Sequence, residues 1–283
     1  MTATNVVVVA GKGGVGKTTV TAVLARATAM SGARVLVVEL DGKPTLDELL
    51  PSRPDQQIEI VHLSAPEALE EYLYDHGFKR IAKRLNKTGV IDMVGTAAPG
   101  IDDIVVLGKI KQFERSGEYD LIVVDGPAAG HAVTFLTSAS ALSDAARGGP
   151  VKSQADDVLE LLGDPDRCGA VLVTLPETTP VNETVETAFS LEEVVGIGIA
   201  PVVVNSVDAG TPLPDEIPAD VDDALRAAAE FRRSRREMEA EALADLAERL
   251  PLGQIHIAAV PVAGLTADHI DALATALHDG EVI

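Results

Sequence analysis

The stretch Gly11-Lys-Gly-Gly-Val-Gly-Lys-Thr-Thr19 limits the possible folds of this chain more than any other. It follows an unbroken valine run, Val6 to Val9, and precedes Val20-Thr-Ala-Val-Leu-Ala-Arg26, which opens a helical pattern. Strand, glycine-rich loop and helix in that order make a phosphate-binding loop, and the spacing Gly11-x-x-x-x-Gly16-Lys17-Thr18 meets its definition at every position. Glycines let successive backbone N–H groups turn inward around an anion. The start of the following helix adds partial positive charge at the same point. The segment Gly11, Gly13, Gly14, Val15, Gly16, Lys17, Thr18 and Thr19 is therefore expected to hold the phosphates of ATP. Within it, Lys17 is expected to reach the β- and γ-phosphates, and the Thr18 hydroxyl to sit on Mg²⁺.

A loop of this kind begins an α/β unit, and the rest of the chain continues the pattern. Strand signals follow at Ala33–Leu40, Ile58–Leu63, Tyr119–Asp125, Gly169–Leu175, Ala200–Asn205 and Gln254–Val260. Helical patterns separate them, the longest running from about Asp220 to Leu250 between Pro218 and Pro251. About seven strands alternating with helices imply a three-layer fold, a mostly parallel sheet covered on both faces. The whole chain, 1–283, is expected to form one such domain. Ligands of these sheets bind at the carboxyl ends of strands, so residues just after strands are the candidates for chemistry. Asp125 ends the run Leu121-Ile-Val-Val124, where a carboxylate can hold Mg²⁺ directly or through water. The following Gly126-Pro-Ala-Ala-Gly130 offers backbone that can contact a γ-phosphate and move when it leaves, Gly130 included. Asp41, also just after a strand, is placed to orient an attacking water.

Charge limits the partners. Lys and Arg number 23 against 44 for Asp and Glu, a formal net charge of −21. A chain this acidic is repelled by nucleic acid and by anionic membranes, so neither is expected as a partner. Two basic clusters, Lys79 to Lys87 and Arg232-Arg-Ser-Arg-Arg236, lie in helical patterns beside acidic residues and read as solvated helix faces. No apolar run reaches the length of a membrane span, and the first residues lack the pattern of a secretory leader. Cys168 is the only cysteine, so no disulfide framework is expected, and the expected location is the cytoplasm.

The second loop lysine, Lys12, makes the stretch resemble the deviant phosphate loop of the dimeric ATPases that include MinD, ParA, the nitrogenase iron protein and the ArsA anion-pump ATPases. That resemblance implies a nucleotide-sandwich dimer in which Lys12 acts on the nucleotide of the other subunit. A narrower resemblance is carried by Asp125-Gly-Pro-Ala-Ala-Gly-His131, similar to the second switch of the ArsA and guided-entry ATPases, and by Pro176-Glu177 followed by Glu183-Thr184. Phe231 to Met238 and the Val260-Pro261 loop are similar to that family's late segments. The likeness implies that Asn205 and Pro261 contact the nucleotide, Asn205 at its adenine. The first switch departs from the family, with Asp41-Gly-Lys-Pro-Thr45 where the family has Asp-Pro-Ala-His-Asn. Most of the helical insert that builds a client groove is absent between Phe135 and Cys168, as is a Cys-x-x-Cys pair.

Together these features lead to the expectation of a Mg²⁺-dependent ATPase, homodimeric or paired with a related ATPase, that drives a conformational change on an unknown client. Lys12, Lys17 and Asp41 are its expected catalytic residues. The alternatives are a partitioning or positioning ATPase of the ParA or MinD type, and a weakly active nucleotide-dependent scaffold.

Overall fold

The computed structural model describes residues 4–280 apart from 41, 76, 81–82, 84–99, 215 and 219. The first strand, β1 (Val6–Gly11), leads through the glycine loop into α1 (Lys17–Met30). Then come β2 (Arg34–Glu39), the short α2 (Thr45–Leu49), β3 (Gln57–His62), α3 (Ala65–Asp75) and α4 (Ile101–Ser116). The middle of the chain holds β4 (Leu121–Ala128), α5 (Ala129–Ala145), α6 (Pro150–Leu162), β5 (Cys168–Thr174) and α7 (Thr178–Ser190). The last third holds β6 (Gly198–Ile199), β7 (Val202–Val207), α8 (Asp223–Arg249), β8 (Gln254–Ala258) and α9 (Ala267–His278).

The strands form one sheet in the order β3-β2-β4-β1-β5-β7-β8, with β6 paired to β5, and all recorded pairings are parallel. Alternation along each strand divides the core in two. Val6, Val8, Leu36, Val38, Ile122 and Leu172 face a layer that includes α4, α5 and α6. Val7, Val9, Val35, Val37, Val123 and Val173 face the layer of α1 and α9. Strands buried on both faces need near-continuous hydrophobic runs, which is what Val6 to Val9 and Val35 to Val38 provide. The result is the three-layer α/β fold of phosphate-loop nucleoside triphosphatases.

The order also fixes where a ligand sits. The chain leaves β1 toward β2 and β3 on one side, and its later strands β5 and β7 lie on the other. The glycine loop is therefore at the switch point of the sheet, between the carboxyl ends of β4 and β5, the position such folds use for binding.

Three local features differ from the sequence reading. The strand expected at Ala200–Asn205 starts only after Pro201, as β7, and runs on to Val207, with the two-residue β6 before it, because proline lacks the N–H a ladder needs. The pattern Val181 to Val195 predicts a helix beginning after Pro180, but the helix starts at Thr178 and takes Pro180 into its first turn, where no intrahelical N–H is required. Its end, Leu191–Val195, widens into a π-helical turn closed by Gly196 at φ 76°. Of the basic cluster Lys79 to Lys87, Arg84 and Lys87 lie outside the described residues.

The arginine cluster on α8 does more than face solvent. Arg232 makes a two-pronged ion pair with Asp208, both bonds 2.7 Å, and holds that carboxyl down to about 2. Arg236 donates to the Gly210 carbonyl at 3.0 Å and Arg233 to that of Pro214 at 2.8 Å. The arginines thus fasten the proline-rich loop after β7 to the helix that follows it. Among the described residues, no helix is long and apolar enough to cross a membrane.

Candidate functional site

The loop after β1 is built by two close approaches that only glycine permits. A Cβ at Gly11 would lie 2.4 Å from the Val173 carbonyl oxygen of β5. Gly16 adopts φ 90°, and a Cβ there would lie 2.2 Å from the Asn205 amide nitrogen. Gly13 and Gly14 are exposed, and added Cβ atoms there meet nothing within 4 Å, so this side of the loop is open to a ligand. Val15 turns inward and is buried at 1% exposure, which anchors the loop to the α1 layer. Lys17 and Thr18 open α1, with Thr19 beside them half-buried. The Lys17 ammonium donates to the Lys12 carbonyl across the loop at 3.4 Å.

Thr18 meets the next strand. Its hydroxyl donates to Asp125 Oδ2 at 2.7 Å, and Thr21, one turn further along α1, donates to Oδ1 at 3.2 Å. Asp125 is aligned beside Val9 by the pairing of β4 with β1. Just past it the register shifts, because a Cβ at Gly126 would lie 2.4 Å from the Val9 carbonyl oxygen and the backbones can be this close only with glycine. Burial pushes the Asp125 carboxyl above its ordinary value, opposed by the two hydroxyl bonds and by Lys17.

Residues that sequence patterns did not single out complete this corner. Glu39 ends β2 and is buried at 3% exposure. Its Oε2 accepts the Gly42 N–H at 2.7 Å, so it holds the start of the loop after β2. It also takes His62 Nδ1 at 3.1 Å, while His62 Nε2 lies 2.9 Å from Asp47 Oδ2. A cavity of about 20 Å³ lies among Thr18, Glu39, Lys43, Thr45, Leu46 and Asp125. It has room for one water-sized occupant. Thr18, Glu39 and Asp125 offer only oxygen donors there, a set that suits a hard divalent cation. Glu39 carried a readable signal, a carboxylate closing the hydrophobic run Val35-Leu-Val-Val38 as Asp125 closes Leu121-Ile-Val-Val124.

His62 makes this corner sensitive to pH. The hydrogen bond to Glu39, with Asp47 adding to it, raises the His62 pKa. A raised histidine stabilises the fold fully below its unfolded value and loses that contribution as pH rises through the folded one. The unfolding free-energy difference between wild type and His62→Ala should therefore be larger at about pH 5.5 than at about pH 8.5. Equal differences at both would contradict the bridge.

The other predicted residues are placed as follows. Lys12 is half-buried, with Nζ 2.6 Å from Glu183 Oε1 of α7. Gly130 falls in the first turn of α5. Asn205, near the end of β7, is buried and donates to the Val15 carbonyl at 2.9 Å. Pro261 is exposed just beyond β8. Asp41 lies outside the described residues. The structure thus brings the loop, Thr18, Asp125 and Asn205 together at the carboxyl edge of β4, β1 and β7.

Comparison with known proteins agrees with this geometry. The profile of the anion-transporting ATPase family matches residues 4–148, just over half the chain. The ATPase BagA of Mycobacterium tuberculosis is 36% identical over 219 residues, covering 70% of this chain and 63% of that protein. A putative arsenical pump-driving ATPase of Halobacterium salinarum is 28% identical over 267 residues, covering 84% of this chain and 39% of that protein. ATPase ASNA1 homolog 1 of Paramecium tetraurelia is 30% identical over 145 residues, covering 45% and 41%. The match spans under two thirds of the length of each of these relatives. With the matched segment running from β1 through the phosphate loop and Asp125 to the end of α5, this chain belongs to the anion-transporting ATPase family.

Proposed function

We propose that this protein hydrolyses ATP with Mg²⁺ in a cytoplasmic dimer, the whole chain acting as one domain, and uses the cycle to change the conformation of a client. The observation that carries the reading is the contact of Thr18 with Asp125 beside an open glycine loop. Mg²⁺, when bound, neutralises charge on the phosphates. The protein's part is positioning and charge stabilisation of an in-line attack by water. The loop N–H groups and Lys17 hold the phosphates, Thr18 and Asp125 present oxygen donors to the metal, and Asp41 orients the water. Lys12 serves the nucleotide of the partner subunit. Asn205 and Pro261 border the place for the base, and Gly130 is part of the segment that senses the γ-phosphate.

Coupling to a client has a physical candidate in a groove of about 580 Å³ beside the segment after Asp125. Leu40, Leu63, Val106 and Phe135 line it, and Pro127 and His131 connect it to the end of β4. A movement of the Gly126–Gly130 backbone would reshape it.

The test is phosphate release by purified protein, with and without Mg²⁺, across an arsenite titration. Release should require Mg²⁺ and stay flat with arsenite. The reason is Cys168, which is buried in β5 with its thiol pushed up to about 12, and so offers no thiolate to a soft ligand. No release in any condition would contradict the ATPase reading. A saturable arsenite response that survives Cys168→Ser would contradict the ligand reading.

A further inference from the structure

Among the described residues, one non-glycine residue has a left-handed backbone: Ser206, at φ 61°. Its side chain is exposed, so no packing of its own explains the conformation. The pairing of β7 with β8 does explain it. The strands run in register from Val202↔Gln254 to Val204↔His256 and resume at Val207↔Ala258. The path from Val204 to Val207 is one residue longer than that from His256 to Ala258, so a residue is inserted at Asn205–Ser206. A bulge of this kind re-aims side chains next to a site.

Here the re-aimed side chain is Asn205. It is 7% exposed, and its Nδ2 donates to the Val15 carbonyl at 2.9 Å. The amide nitrogen must face that carbonyl, since the amide oxygen and the carbonyl are both acceptors. Nδ2 also occupies the space a Cβ at Gly16 would need, 2.2 Å away. The Val15–Gly16 peptide is thus bonded at its carbonyl and crowded at its following Cα by the same side chain.

We propose that Asn205 is a positioning residue for the phosphate loop. It fixes the Val15–Gly16 peptide in the orientation that turns the loop N–H groups toward a phosphate, and the Ser206 bulge aims it. The proposal rests on the reading of this loop as a polyphosphate site. It goes beyond a contact with the base, because the bond to Val15 ties Asn205 to the loop itself.

Inorganic tripolyphosphate, which has no base, separates the two roles. Calorimetry with Mg²⁺ on Asn205→Ala should show tripolyphosphate weakened about tenfold, as expected when a buried carbonyl loses its donor, and ATP weakened at least as much. Ser206→Val leaves Asn205 in place but puts a β-branched residue at positive φ, and should weaken both ligands. Ser206→Gly, which adopts that backbone freely, should weaken them less than valine does. In ¹⁵N-labelled, ligand-free protein the Gly16 amide resonance should move in Asn205→Ala, a local signature that lower overall stability does not produce. Wild-type affinity for tripolyphosphate in Asn205→Ala, with only ATP weakened, would restrict Asn205 to the base and overturn the proposal. No tripolyphosphate binding by the wild-type protein would overturn the reading of the loop, and the proposal with it.

Discussion

Replacing Lys17 by alanine is expected to abolish turnover and to weaken binding of a non-hydrolysable ATP analogue by about 2–5 kcal/mol, the range for removing one partner of a desolvated charge pair. Lys17 begins α1 at the mouth of the loop, and its ammonium bridges back to the Lys12 carbonyl. It therefore sits where phosphate oxygens would converge with the loop N–H groups. Without it, those N–H groups and the start of α1 still attract an anion, but each contributes partial charge only. Calorimetry decides the matter, with circular dichroism to show that the fold survives. An affinity equal to wild type would remove the loop from the site.

Lys12→Ala is expected to have a different signature: ATP binding retained and turnover reduced by about 10³–10⁵, the worth of a cation supplied across an interface in the related arginine-finger role. Within one subunit Lys12 is paired with Glu183, at 2.6 Å, and both side chains are about two-fifths exposed. An ion pair this exposed contributes about 0–1 kcal/mol, so Lys12 can give up Glu183 for a nucleotide at little cost. Wild-type turnover should also rise faster than linearly with protein concentration below the dimer dissociation constant. Loss of ATP binding in step with turnover would place Lys12 in its own subunit's site.

Much of this site was legible in the sequence because its chemistry is local. Gly11 to Thr18 are consecutive, from the end of β1 to the start of α1, and their spacing specifies the turn, the helix start and the lysine together. Asp125 was legible as a charge closing the hydrophobic run Leu121-Ile-Val-Val124, although β4 continues past it to Ala128, and its bond with Thr18 follows once β4 is the neighbour of β1. What the sequence hid depends on contacts between distant segments. The pairing of His62 with Glu39 and Asp47 joins β3, β2 and α2, and none of the three residues stands in a motif. The use of Arg232 to pin Asp208 was equally hidden, since a run of arginines among acidic residues has the same composition whether it faces water or fastens a loop. The bulge at Asn205–Ser206 left no trace either: it replaces no glycine and adds no unusual residue, and only the β8 register exposes it. Pro201 did announce a disturbance, but composition alone could not say that the strand would start after it and run on to Val207.

The proposed cross-subunit role of Lys12 is tested most directly by mixing two inactive variants, Lys12→Ala and Asp41→Asn. If Asp41 acts within its own subunit and Lys12 across the interface, a mixed dimer has one site with both defects and one with neither. Turnover should then return on mixing, although neither variant alone supports it, and should track the fraction of mixed dimer measured by native mass spectrometry. Mixed dimers that form and remain inactive would contradict a nucleotide held between two subunits.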